Sequence, residues 1–203
     1  MKRIASILAF LLFAIAAHAE SPMQAVKDST EKVLLLLKDP KLQGDSKTPE
    51  RRQLVRAEMD SRFEWDEISR ACLGRHWAEL PPDAKAEFVN VFSEFLKERF
   101  SDKIVTQCND LEKVDYKEAQ IIDNSAATVR LVLTTRTKVE YSIEYSMKKA
   151  SSGDRWIVDD VVIEGGSLLK LYKDQLDEII AKFTYEGLLK RIKSKLSAVA
   201  INL

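Results

Sequence analysis

Histidine, cysteine and glycine are scarce in this 203-residue chain, and each scarcity removes a class of chemistry. There are two histidines, His18 and His76, and two cysteines, Cys72 and Cys108, with no CxxC pair. A His/Cys zinc cluster or a dithiol redox motif cannot be assembled from them. Only six glycines occur, and the GxSxG, HExxH, Walker and dinucleotide-binding patterns are all absent. Charge of one sign is also lacking: 32 basic residues face 32 acidic ones, which leaves no electrostatic footprint for nucleic acid. From Glu20 onward charged residues recur every few positions, so no later run approaches the roughly 20 apolar residues that span a bilayer.

The first 19 residues differ from the rest. Lys2 and Arg3 precede an apolar stretch from Ile4 to Ala17 broken only by Ser6, and Ala17-His18-Ala19 places small residues around a cleavage point before Glu20. This is the pattern of a cleavable export signal, too short for a permanent membrane helix. Its removal leaves residues 20–203, with 30 basic against 32 acidic side chains, a length suited to one domain with a substantial core. In an oxidising compartment Cys72 and Cys108 permit one disulfide, and two separate buried thiols fit the sequence equally well. His76 beside Trp77 reads as a surface or packing residue.

Helical periodicity governs the first half. Val26, Val33, Leu34 and Leu37 recur at helical spacing from Pro22 to Lys38, before Asp39-Pro40. Further helices are expected from Pro49 to about Ser61 and from Trp65 to Leu73, stopping at Gly74. After Pro81-Pro82 a longer helix carries Ala84, Phe88, Val91, Phe92, Phe95 and Leu96 on one stripe, with Lys85, Glu87, Glu94, Lys97 and Glu98 opposite. Beyond Asp110 the period falls to two. Strands are expected over Val114–Gln120, Ala127–Thr134, Val139–Met147 and Trp156–Ile163, with Ser151-Ser152-Gly153-Asp154 as a hairpin turn. Gly165-Gly166 ends the last strand, and helices over about Leu168–Phe183 and Tyr185–Ala200 close the chain. Alternation in the strands makes one sheet face apolar and the other solvated. The fold class is therefore α+β, a twisted antiparallel sheet of about four strands with helices packed on one face.

Catalytic groups are hard to place. Asp159-Asp160 and Asp66-Glu67 are neighbours in sequence, so their side chains diverge, and they read as solvated or capping carboxylates. The aromatic stripe either packs as a filled core or lines an apolar cavity, and periodicity does not separate the two. Lys182, Lys190, Arg191, Lys193 and Lys195 form a basic cluster balanced by Asp174, Asp177 and Glu178.

Several strings carry a resemblance. Phe63, Ile68-Ser69-Arg70 and Leu73-Gly74-Arg75-His76-Trp77 precede the proline-bounded helix with Phe88 to Phe100. Val139 to Tyr145, Trp156-Ile157-Val158-Asp159-Asp160-Val161, Ile163-Glu164-Gly165-Gly166-Ser167-Leu168, Lys173-Asp174-Gln175-Leu176 and Gly187-Leu188-Leu189 follow in order. Together they resemble the periplasmic phospholipid-binding proteins of the Mla, or toluene-tolerance, lipid transport system, over nearly all of residues 20–203. The chain departs from that pattern at Lys173, Leu176 and Gly166, and its two cysteines lie outside it. The resemblance implies an apolar pocket for phospholipid acyl chains and a periplasmic location. It also implies partnership with an inner-membrane ABC transporter complex and an outer-membrane lipoprotein complex, with no catalysis, no cofactor and no metal.

On that reading Phe88, Phe92, Phe95, Val129, Leu131, Leu133, Tyr141 and Ile143 are the expected pocket lining. An enzyme on a cone-shaped α+β scaffold, with Tyr141 or a buried carboxylate as acid or base, is one alternative. A fully packed, non-lipid interaction module is the other.

Overall fold

The computed structural model describes residues 20–153 and 155–201. The export signal read over residues 1–19 lies outside the described residues, as does Asp154 of the expected hairpin turn. Helix α1 (Pro22–Lys38) begins where Ser21 Oγ accepts from the Gln24 amide at 3.1 Å, with Pro22 in the first turn. Helices α2 (Thr48–Arg62) and α3 (Trp65–Leu73) follow, and α3 ends at Gly74, whose φ of 57° is a left-handed conformation that favours glycine. A 3-10 turn over Gly74–Glu79, not signalled by periodicity, leads into α4 (Pro82–Gln107).

Five antiparallel strands come next in simple order: β1 (Leu111–Ile121), β2 (Ala126–Thr135), β3 (Glu140–Lys149), β4 (Trp156–Ile163) and β5 (Gly166–Ser167). The expected four strands become five because Glu164 and Gly165, both at positive φ, turn the chain back so that Ser167 pairs with Val162. Register confirms the period-two reading. Leu133, Leu131, Val129 and Ala127 on β2 stand opposite Tyr141, Ile143, Tyr145 and Met147 on β3, all on one face. On the other face Arg130 bridges Glu118 of β1 and Glu144 of β3. Helix α5 (Leu168–Ile201) is broken at Thr184, whose φ of 62° and ψ of 174° divide it where two helices were expected.

The apolar side chains separate into three clusters. One joins the sheet to the start of α1, through Ala25 and Val26 against Ala127, Val129 and Met147. A second lies among helices alone, with Phe88 and Phe92 of α4 packed on Leu73, Tyr172, Leu176 and Leu188. The third holds the end of α1 to α2 and α4 through Leu37, Val55, Met59 and Val105. Phe88 and Phe92 are stacked at 5.1 Å and Tyr172 meets Phe92 edge-on at 5.9 Å, geometries that add to area burial. Phe92 is fully enclosed. Phe92→Ala is expected to lower the free energy of unfolding by about 3–5 kcal/mol, as measured by denaturant titration. A loss below about 1 kcal/mol would show that the interhelical cluster does not carry the fold.

Candidate functional site

Between the three clusters the apolar face of the sheet is not fully covered, and a cavity of about 340 Å³ remains. Its size is that of a small-molecule site. The sheet supplies Leu131, Leu133, Ile143, Tyr145 and Met147 to its wall, and β4 adds Val158, Val161 and Ile163. Opposite stand Val33 and Leu34 of α1, Trp65 and Ile68 of α3, Leu96, Phe100 and Ile104 of α4, and Leu168, Leu169 and Tyr172 of α5.

The eight residues expected to line a pocket divide. Leu131, Leu133 and Ile143 are on the cavity wall. Phe88 and Phe92 are not, because α4 turns that part of its stripe toward α3 and α5; Phe95 packs at the edge of the same cluster. Val129 is fully buried in the cluster that joins the sheet to Ala25 and Val26 of α1, and it does not border the cavity. Tyr141 points to the same side as Ile143 but lies beyond the covering helices and is 43 % exposed. The sequence reading stopped the α4 stripe at Leu96. It continues at four-residue intervals through Phe100, Ile104 and Cys108, and these later members face the cavity. The contribution of α1, α3 and α5 had no sequence signal beyond their amphipathic faces.

Polar groups at the wall are few and mostly engaged. Arg62 is held by Glu20 at 2.7 and 2.9 Å and by Ser29 Oγ at 2.8 Å; the Glu20 hydrogen bond raises its pKa against the effect of burial. Asp160 accepts from the Val161 amide at 2.8 Å, the Leu169 amide at 2.9 Å and the Ser167 hydroxyl, so it ties β4 and β5 to the first turn of α5. Asp159 is different. Its Oδ1 is buried without a hydrogen-bond partner, and burial pushes the carboxyl upward while nearby Lys148 pulls it down. A β-bulge opposite Ser146 and Met147 inserts this extra residue, which brings the carboxyl to the cavity side.

Cys72 and Cys108 are separate free thiols that both border the cavity. Burial pushes the Cys72 thiol up to about 12 and raises Cys108 as well, which keeps both in the unreactive protonated form. Burial likewise pushes the Tyr145 phenol up to about 12. His76 lies outside the wall, with Nε2 at 2.7 Å from Asp177 Oδ1. Among the described residues no three His, Cys, Asp or Glu side chains converge on a common point, and no helix is long and apolar enough to cross a membrane.

A one-sided antiparallel sheet roofed by helices around an oily cavity has counterparts among known proteins. The family described as MlaC protein matches residues 27–194. The chain belongs to the MlaC family. The MlaC match runs from α1 to the closing part of α5, so it contains nearly all of the cavity wall. Among solved structures, a phospholipid-binding protein from Ralstonia solanacearum, determined in complex with a phospholipid, is similar at 23 % sequence identity and a TM-score of 0.74. The similarity covers 88 % of this chain and 98 % of that one, and it establishes a shared fold. A search of curated proteins finds no match.

Asp159 supplies a test of this wall. A carboxyl whose folded pKa lies above its unfolded value disfavours folding when ionised. The penalty is absent below the unfolded pKa and grows as pH rises through the folded one. Asp159→Asn should therefore raise the thermal midpoint at pH 7, and the gap over the parent should shrink as pH falls toward about 4. Melting curves at both pH values check this; an unchanged or lowered midpoint at pH 7 would mean that the carboxyl has a partner in solution.

Proposed function

We propose that this MlaC-family chain is a periplasmic phospholipid-binding shuttle of an Mla-type ABC transport system. In this reading it takes lipid between an outer-membrane lipoprotein complex and an inner-membrane ABC transporter complex. The observation that carries the reading is the cavity: an apolar space held open over the sheet, in a family member whose fold matches a protein solved with phospholipid. Leu131, Leu133 and Ile143 then contact acyl chains, joined by Val33, Ile68, Phe100 and Tyr172.

The physical need for such a carrier is large. Two acyl chains carry about 30 methylenes, and at about 0.8 kcal/mol each their exposure to water costs on the order of 25 kcal/mol. A wall of aliphatic and aromatic side chains removes that cost without chemistry. The enzymatic alternative keeps Asp159 as its one candidate acid or base, a cavity-wall carboxyl raised by burial, with no metal cluster among the described residues beside it. Tyr141, its other suspect, lies at the exposed end of the sheet.

Native mass spectrometry of protein purified from its own compartment should show a bound mass equal to a phospholipid, recoverable by solvent extraction. Val33→Trp, which places an indole in the cavity from α1, is expected to reduce lipid occupancy about tenfold, equivalent to about 1.4 kcal/mol, with unchanged helical circular dichroism. Parent protein that carries no lipid and takes none from vesicles would refute the carrier.

A further inference from the structure

A second concavity lies directly behind the cavity wall. It is an open groove of about 590 Å³ lined by Arg70 and Glu67 of α3, Gly74 and Arg75 after it, and Leu169 and Lys173 of α5. Helix α3 separates the two spaces: Trp65, Ile68 and Cys72 face the cavity, while Glu67, Arg70 and Ala71 face the groove. Leu169 belongs to both walls, so the groove begins one side chain away from the oily interior.

The groove is cationic by construction. Glu67 is taken by Lys148, and Arg75 pairs with Asp177 at 2.8 Å. The side chains of Arg70 and Lys173 form no hydrogen bond or ion pair among the described residues, and Glu67 influences Arg70 only through space. Lys173 is positioned rather than loose, because its stem lies on the bare backbone of Gly74. A Cβ built there would be 3.0 Å from Lys173 Cε. Single unpaired surface cations are common. Two that converge with Arg75 on one groove, one side chain from an apolar cavity, match an amphiphile whose anionic group adjoins its chains.

We propose that Arg70, Lys173 and Arg75 form a phosphate subsite, which takes the phosphodiester of a phospholipid whose acyl chains occupy the adjoining cavity. The proposal rests on the carrier reading and adds to it a charge preference. Guanidinium groups offer paired N–H donors that fit phosphate oxygens, and the Lys173 ammonium adds a point charge. Because the groove is exposed, the preference is screened by salt.

The test compares phosphatidylglycerol with diacylglycerol of the same chains, in the parent and in R70Q/K173Q, by native mass spectrometry and competition from vesicles. The parent is expected to prefer phosphatidylglycerol by about tenfold at low salt, and less at high salt. R70Q/K173Q should lose that preference while still binding diacylglycerol, and R70K/K173R should keep it. Equal preference in the parent and R70Q/K173Q would overturn the subsite. Inorganic phosphate that binds through Arg70 and Lys173 without altering lipid preference would assign the groove to free phosphate and overturn it too. Weakened association with a partner complex at unchanged lipid preference would make it a protein-docking surface instead. If the parent binds neither lipid, the carrier reading itself fails.

Discussion

The structure depends on helices that pack against one another more than against the sheet. Cys72, Leu73, Phe88, Phe92, Leu96, Tyr172, Leu176, Leu188 and Ile192 form a cluster of α3, α4 and α5 residues with no strand residue among its buried members. A helical roof with its own core does not need to collapse onto the surface beneath it. The sheet is pinned at one end by Ala25 and Val26, small enough for α1 to approach closely, and α1 is pinned at its other end by Leu37 against Val55 and Val105. Close packing inside each cluster and its absence between them leaves the unfilled space. An unsupported apolar void of this size would cost the fold dearly, in proportion to its volume. Occupancy by hydrocarbon offsets that cost, which links the stability of the roof to possession of a ligand.

Much of this fold was legible because its elements are strongly periodic. Strand β4 runs over the predicted Trp156–Ile163 and α3 over the predicted Trp65–Leu73. The inner face of β2 and β3 follows from alternation alone. What alternation lacks is the third dimension. Val129 and Leu131 share a face and one buried cluster with Ala25 and Val26, yet only Leu131 borders the cavity. The stripe on α4 is one continuous ridge, yet Phe88 and Phe92 belong to a filled cluster and Phe100 and Ile104 to the cavity. The partner of each turn decides that, and the partners are α5 and α3, more than 60 residues downstream or a loop away. Strand β5 was missed because two residues carry no period.

The adjacent carboxylates show the same limit in chemical terms. Asp159 and Asp160 were expected to diverge as solvated or capping carboxylates; Asp160 does cap α5, but both stand on the cavity wall, because the bulge breaks the alternation of the strand. Asp160 accepts from the Val161 and Leu169 amides and the Ser167 hydroxyl, while Asp159 keeps a buried Oδ1 without a partner, its carboxyl helped only by nearby backbone amides and Lys148. A bulge in β4 separates their roles, and a bulge leaves no trace in a hydrophobic pattern. One ion is stabilised by donors and the other is penalised by burial, so two identical side chains at successive positions have opposite effects on the fold.

These features together bear on how cargo could be exchanged. A wall of hydrocarbon side chains approximates the interior of a bilayer, so moving an acyl chain between the two changes little free energy and needs no reaction to drive it. For the proposed carrier, direction would then come from whatever contacts it at each end, through differences in affinity of a few kcal/mol. Burial holds both wall thiols in the protonated form, and Arg62 is engaged by Glu20, which leaves Asp159 as the wall's one raised carboxyl. A polar foothold is useful only outside that wall. The division of α3 into an apolar face toward the cavity and a charged face toward the groove would, in the proposed carrier, separate grip on the chains from discrimination of charge onto opposite sides of one short helix.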